Sequence, residues 1–414
     1  MYNPVNQPIA KGEKMKIEEI DQSQKLLEKI QIEKNKREKI LEAGDRKQEP
    51  NLLNISTTVD EYFCLTKLQL YCEYLSYKQV VNPILIPYTE KEFKLLNNVL
   101  ALVESIQFTN PLLQIYQSIR LFLEATELKQ QQTAFDISVA LTHSKLDQLT
   151  AKEIATVYSY YTNYCIQQIN AGHKEYLPKL LRYQVEILHL QAIRNKLSKE
   201  GLPPAVFKNI VVTALNINDP EVFANLPIPA NNEQVIPTKK VEPSIGWAKS
   251  FVDYYNQYLP KKVRNIYTLY CLAYINFQAK DFTTAYQQLQ PLQGKRGIFI
   301  NLLIKQLYLM CLFELDLRDD PIFHNDNVRI PKAIDAYKSQ LKDENKRKKQ
   351  LNYQKKYHQD FHDLFNRLNK FFLRYDGGYK DQHYDKSYNA LKIDILKTKA
   401  SYQKWLLEKL ESIE

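Results

Sequence analysis

Glycine is scarce in this chain: nine residues in 414, against 29 tyrosines and 17 phenylalanines. A sheet protein needs glycine at its tight turns, so the shortage argues against β architecture and for aromatic-rich helices packed on one another. Long apolar runs are missing too. The nearest approach to the roughly 20 residues of a membrane span is Ile298 to Phe313, which is short and carries Asn301, Lys305 and Gln306. Residues 1 to 16 lack the apolar centre of a secretory signal. The five cysteines, Cys64, Cys72, Cys165, Cys271 and Cys311, show no CxxC spacing. Neither a disulfide framework nor a zinc site is indicated, and a reducing, cytoplasmic setting without membrane contact is expected.

The motifs of catalysis are missing as well. No GxSxG turn and no cysteine near a positioned histidine occurs. Gly294-Lys295-Arg296-Gly297 comes nearest to a phosphate-binding turn, but it joins two predicted helices and lacks the further glycine and the Lys-Ser/Thr pair of a P-loop. His358 and His362 lie four apart on a predicted helix, a spacing that puts two imidazoles on one face at metal-ligand distance, with Asp363 adjoining. Gln359 stands where an HExxH site has its glutamate, and no third ligand is in view. The pair therefore reads as part of a polar helix face beside Lys355 and Lys356. No enzymatic activity, cofactor or metal is expected.

What is present belongs to a folded chain: 44% hydrophobic and 25% charged residues exclude general disorder. The formal charge of +10 permits a polyanionic or acidic partner. Much of the excess is local, in Lys342, Lys346, Arg347, Lys348, Lys349, Lys355 and Lys356. That run reads as a solvated helix face or, alternatively, as a site for such a partner.

Residues 1 to 50 are poor in aromatics and dense in Lys, Glu, Gln and Arg. Ile17, Ile20, Leu27 and Ile30 give them a thin apolar stripe, so they are expected to form one charged, exposed helix. From Thr57 the pattern changes. Tyr62, Leu65, Leu68, Cys72 and Leu75 follow the three-and-four rhythm of a buried helix face. Thr89 with Glu92, and Thr150 with Glu153, have the spacing of capping boxes. Asn110-Pro111 opens a helix, and Gly172 and Gly201 close two others. Helices of roughly 15 to 22 residues separated by short breaks read as antiparallel pairs. The rhythm fails over 218 to 243, where five prolines leave no apolar face and a long surface loop is expected. Asp376-Gly377-Gly378 marks a turn, after which Tyr388 to Ile413 reads as a single terminal helix that caps the array.

One segment resembles a tetratricopeptide repeat. Leu272-Ala273, Phe277, Asp281-Phe282, Ala285 and Leu289 fall on the pattern in which two helices of a hairpin lock small residues against large ones. Asn276 stands where the repeat usually has an aromatic, and Lys280 where it usually has glycine. The order of helices from Tyr62 to Phe372, with Asp60 to Gln79 and Phe207-Lys208-Asn209-Ile210, also resembles a family of tetratricopeptide-like proteins from Bacteroidota for which no activity is established. The resemblance implies an all-α fold, an α-solenoid of antiparallel helix pairs wound as a right-handed superhelix, and says nothing of chemistry.

The expected organisation is a charged helix over 1–50, a helical-repeat array over 51–375 and a capping helix over 376–414. The expected function is a non-enzymatic scaffold that holds a peptide or partner helix in its groove. Tyrosines on both sides of a helix cannot all be core, so Tyr254, Tyr258, Tyr267, Tyr270 and Tyr274 are candidate anchors; the alternative is that tyrosine simply fills wide interhelical gaps with its hydroxyl at the rim. The same reasoning covers Tyr158, Tyr160, Tyr161 and Tyr164. The alternative is a nucleic-acid-binding array that uses Lys346, Arg347, Lys348 and Lys349 within the basic 342–356 segment, with stacking from Tyr353 and Tyr357. Oligomeric state and partner identity are not specified by the sequence.

Overall fold

The computed structural model describes residues 22–42, 52–80, 90–105, 110–189, 197, 199, 201–224, 226, 242–293, 300–317, 330–347, 352–375, 381–398 and 402–412. Among these the regular structure is α-helix with short 3₁₀ turns, and no strand occurs. The chain divides into two compact units, one up to Gly201 and one from Leu202, with 224–227 assigned to the first.

The N-terminal unit contains α1 (Gln22–Glu42), α2 (Leu52–Val80), α3 (Glu90–Ser105), α4 (Pro111–Glu124), α5 (Leu128–His143), α6 (Ala151–Ala171) and α7 (Leu177–His189). Its helix ends follow local chemistry. The Asn110 side chain accepts from the Leu112 and Leu113 amides at 3.0 and 3.2 Å, with Pro111 at the first helical position. Thr150 and Glu153 form a reciprocal capping box at the start of α6. Gly172 ends that helix at φ +108°, where a side chain would be strained. Thr89 lies outside the described residues.

Two expectations for this unit are corrected. The α1 helix is not wholly exposed: Leu26 and Ile30 are buried and α1 packs on α2, while Leu27 and Ile32 stay in solvent. All four tyrosines of α6 are core, Tyr158, Tyr160, Tyr161 and Tyr164 alike. The reason is that α6 has neighbours on several sides. Tyr160 meets Tyr116 of α4 edge-on at 6.0 Å, Tyr164 stacks on Phe135 of α5 at 4.4 Å, and Tyr158 meets Tyr183 of α7 at 5.5 Å. The Tyr161 hydroxyl closes a buried network with Ser138 (2.9 Å) and Thr142 (2.6 Å), and Ser138 in turn bonds Ser118 (2.9 Å).

The C-terminal unit contains α8 (Pro204–Leu215), α9 (Pro220–Ala224), α10 (Pro243–Tyr255), α11 (Lys261–Gln278), α12 (Phe282–Leu289), α13 (Ile300–Asp316), α14 (Ile330–Arg347), α15 (Asn352–Tyr375), α16 (Tyr384–Lys397) and α17 (Gln403–Glu411). Packing is mostly between successive helices, from α10 on α11 through to α16 on α17. The expected loop over 218–243 is partly helix: α9 buries Phe223, whose ring lies 6.1 Å from Trp247. Residues 225 and 227–241 of that segment lie outside the described residues, as do 294–299 and 376–380 with their glycine motifs.

The expected terminal helix is two helices. The chain stops α16 at Lys397 and restarts α17 after Tyr402, which sits at φ +59°. This break lets Trp405, Leu406 and Leu410 turn inward. Trp405 packs on Phe313 at 5.6 Å and its indole Nε1 donates to the buried Glu314 at 2.8 Å, while Lys409 donates to the other carboxylate oxygen at 2.8 Å. The final helix therefore fastens α13 across more than 90 residues of sequence and packs on α15 as well.

The repeat-like segment forms the hairpin α11–α12, with Ala273, Ala285, Phe282 and Leu289 buried and Phe277 5.1 Å from Phe282. Its turn is a Schellman motif: the Asp281 amide donates to the Asn276 carbonyl (2.9 Å) and the Lys280 amide to the Phe277 carbonyl (3.0 Å). Lys280 holds the left-handed position at φ +61°, and Asp281 caps α12 by accepting from the Thr284 amide at 3.1 Å. Lys280→Gly is expected to stabilise the unit by about 1 kcal/mol, since glycine reaches this conformation without a Cβ clash. A urea unfolding midpoint that falls instead of rising contradicts this account. Lys409→Met, which leaves the Glu314 anion buried with one donor, is expected to lower the same midpoint by about 2 kcal/mol, and by more than Glu314→Gln does.

Candidate functional site

The five candidate tyrosines separate into two environments. Tyr254 and Tyr258 are half-buried at the end of α10, where their rings and that of Tyr255 lie 4.9 to 6.2 Å apart. Arg264 fixes the following turn by donating to the carbonyls of Gln257 and Leu259. Tyr267, half-buried, stands one helical turn beyond Arg264 and hence on the same side of α11. Tyr270 and Tyr274 are corrections: both are buried and cannot serve as surface anchors. Their rings stack at 6.5 Å, Tyr274 meets the Tyr402 ring at 6.2 Å, and the Tyr270 and Tyr402 hydroxyls are 3.4 Å apart. The break before α17 supplies the partner that their position on α11 alone did not reveal.

Of the basic segment, Lys342 and Lys356 are exposed. Lys346 and Arg347 belong to α14, but their side chains lie outside the described residues, together with Lys348, Lys349 and the side chains of Tyr353 and Lys355. Tyr357 is half-buried.

His358 and His362 are not on a polar face. Both are buried, because α15 turns this side toward α14. The Tyr337 hydroxyl of α14 lies 3.1 Å from His358 Nδ1 and 3.3 Å from its carbonyl. His362 Nδ1 is 2.8 Å from Asp363 Oδ1, and the opposite ring nitrogen, Nε2, is buried without a hydrogen-bond partner among the described residues. Gln306 of α13, fully buried, adjoins Tyr337, yet neither of its amide atoms attains hydrogen-bond geometry. No group of three His, Cys, Asp or Glu side chains among the described residues is placed to hold a metal ion.

Electrostatics tie a further residue to this cluster. Lys208 is the single charged side chain of α8, a helix buried on most of its circumference through Phe207, Ile210, Val211, Ala214 and Leu215. Burial lowers its ammonium to about 8, and the Cys271 thiol of α11 opposes that shift. Burial first, and then the Lys208 charge, lower His358 to about 4. Burial holds the Tyr337 hydroxyl well above its ordinary value and the Cys271 thiol likewise. At neutral pH the cluster thus contains a neutral imidazole, a neutral phenol, a neutral thiol and an amine that is partly deprotonated. The sequence gives one hint of Lys208, a lone charge within twelve residues of otherwise uncharged helix. Gln306 and Tyr337 carry no such signal, since their partners lie on other helices.

The His358 shift has a defined sign. The unfolded chain takes up a proton near pH 6.5, whereas the folded chain resists until about pH 4. Stability is therefore undiminished above pH 6.5, falls as pH drops from there to about 4, and is level below. The span corresponds to about 3 kcal/mol. His358→Gln is expected to remove this pH dependence, so that the wild-type minus variant difference in urea midpoint, measured at intervals between pH 7.5 and 4, shrinks as pH falls through the window. A difference that is constant with pH sinks the assignment.

Comparison with family models, with curated proteins and with solved structures finds no match to this chain.

Proposed function

We propose that this protein is a non-enzymatic interaction scaffold: a tetratricopeptide-like α-solenoid that holds a peptide or partner helix against an aromatic face formed by Tyr254, Tyr258 and Tyr267. The observation that carries this reading is the state of these three side chains. They are half-buried while Tyr270 and Tyr274 of the same set are core, and the turn beneath them is braced by Arg264. A tyrosine held in place by its neighbours loses little rotamer freedom on binding and offers a large ring with a polar tip, which is why tyrosine is enriched at interface hot spots. The array reading is supported by packing between successive helices and by the small-against-large contacts of the α11–α12 hairpin. A reducing cytoplasm suits a chain whose five cysteines are all unpaired and buried.

The test is an affinity pull-down from the native host, with wild-type protein and with the paired variant Tyr254→Ala/Tyr258→Ala, after nuclease treatment and at low and high salt. A protein recovered by the wild type at high salt and reduced at least tenfold with the variant is the expected outcome. Recovery that disappears with nuclease or with salt, and is indifferent to the tyrosines, transfers the function to nucleic-acid binding by the basic 342–356 segment.

A further inference from the structure

The α2 helix is apolar on two faces. One belongs to the core: Cys64, Leu65, Leu68, Cys72 and Leu75 are buried, and α2 packs on α1, α3 and α4. The other is uncovered. Val59 and Phe63 are each 41% exposed and Leu70 is 50% exposed. With Thr66 between them, they recur at spacings of four, three and four, the rhythm of a coiled-coil seam, and they lie within about 60° of one another around the helix. The Thr66 hydroxyl donates to the Tyr62 carbonyl at 2.9 Å, which satisfies it within the helix and leaves the methyl group for apolar contact. One step further along the same rhythm in each direction stand Ser56 and Glu73, both exposed, so the seam has polar ends. Single exposed apolar residues need no explanation, but three in line on a face that a surface helix ordinarily fills with charge do.

We infer that this seam is the contact surface for a second copy of the chain, whose α2 lies antiparallel along the first. The occupant follows from the residues at the edges of the seam. Asp60 and Lys67, seven apart, stand on one edge, and the Lys67 ammonium lies 5.9 Å from the centroid of the Phe63 ring, hence beside the seam. The uncharged Tyr62 and Gln69 stand on the other edge. When two such helices run antiparallel with Val59 opposite Leu70 and Phe63 opposite Thr66, two-fold symmetry repeats each layer, and Asp60 of each copy falls level with Lys67 of the other. One two-fold operation thus covers the whole seam, pairs all four edge charges and sets Ser56 against Glu73. A parallel pair does not: it stacks Phe63 on Phe63 and brings Lys67 toward Tyr62. A foreign helix would have to carry the same order of charges, which this chain already has. The contact is short, and three helical turns bury less than the roughly 1,200 Å² of a lasting interface, so association is expected in roughly the tens of micromolar. The inference concerns the N-terminal unit and does not depend on the scaffold reading of the Tyr254 surface.

The experiment is sedimentation velocity of the full chain, followed from about 1 to about 300 µM. The wild type is expected to pass from monomer to dimer, and Leu70→Glu to raise the dissociation constant at least tenfold. Asp60→Lys and Lys67→Asp are each expected to raise it at least tenfold as well, since either reversal places two like-charged pairs across the seam. An equimolar mixture of these two variants restores opposite charges at both pairs. The two proteins, weakly associating alone, should then dimerise with one another to within about threefold of the wild-type affinity, which misfolded variants could not do. A wild type that stays monomeric throughout gives the seam to a different protein and overturns the inference. A dimer that Leu70→Glu leaves intact uses another face and overturns it too. Failure of the mixture to associate, with both variants helical by circular dichroism, overturns the antiparallel arrangement.

Discussion

A phenol that is buried in a helical core brings a hydroxyl that must be satisfied there, and this requirement organises much of the molecule. Leaving such a group without a partner costs on the order of 1–3 kcal/mol. At two of the buried tyrosines the chain meets the demand by placing small hydroxyls or a histidine at matching heights on the next helix, while the Tyr164 and Tyr176 hydroxyls are buried without a hydrogen-bond partner among the described residues. Ser138 and Thr142 of α5 receive Tyr161, and His358 of α15 receives Tyr337. Burial pushes the Tyr161 hydroxyl up to about 12, and the Ser138 and Thr142 bonds pull it part of the way back. Each pairing fixes the register of two helices more sharply than apolar contact can, because a slip of one residue would break it. At Tyr161 and Tyr337 tyrosine is thus both filler and key.

The class of the fold was legible from glycine poverty and from the three-and-four apolar rhythm. So were several helix ends, because Asn110-Pro111, the Thr150–Glu153 box and Gly172 act through neighbours within four residues. The failures lie where a distant partner decides. The tyrosines of α6 looked too evenly spread to be core, a valid argument for a helix with one neighbour and an invalid one for a helix that touches α4, α5 and α7. The terminal segment looked like one helix because Tyr402 is an ordinary residue in sequence. Its left-handed backbone is held by contacts with Tyr270 and Tyr274, more than a hundred residues earlier. Lys280 is the intermediate case: the resemblance to a repeat hairpin marked the position as a glycine site, and the chain adopts the glycine conformation there without the glycine.

The candidate site follows the same division. His358 and His362 were visible as a pair, and their shared helix face was read correctly, but the face turned out to be the inner one. Periodicity gives the angle between two side chains on a helix and leaves open which direction faces solvent when apolar residues such as Phe361 and Leu364 stand beside them. The Lys208 charge that helps lower His358 arrives from a helix 150 residues upstream, and no local pattern could have joined the two. Of the tyrosines, Tyr254 and Tyr258 differ from Tyr270 and Tyr274 only in what the C-terminal helices cover.

The two tryptophans of the chain, Trp247 and Trp405, both lie in the C-terminal unit, one against Phe223 and Phe251 and the other against Phe313 and Phe365. Their selectively excited emission consequently reports on the C-terminal unit. Far-ultraviolet circular dichroism, in contrast, weighs helices of both units alike. When the two signals are followed through the same denaturation, coincident curves mean that the units melt together, and separated curves resolve the stability of each without cutting the chain.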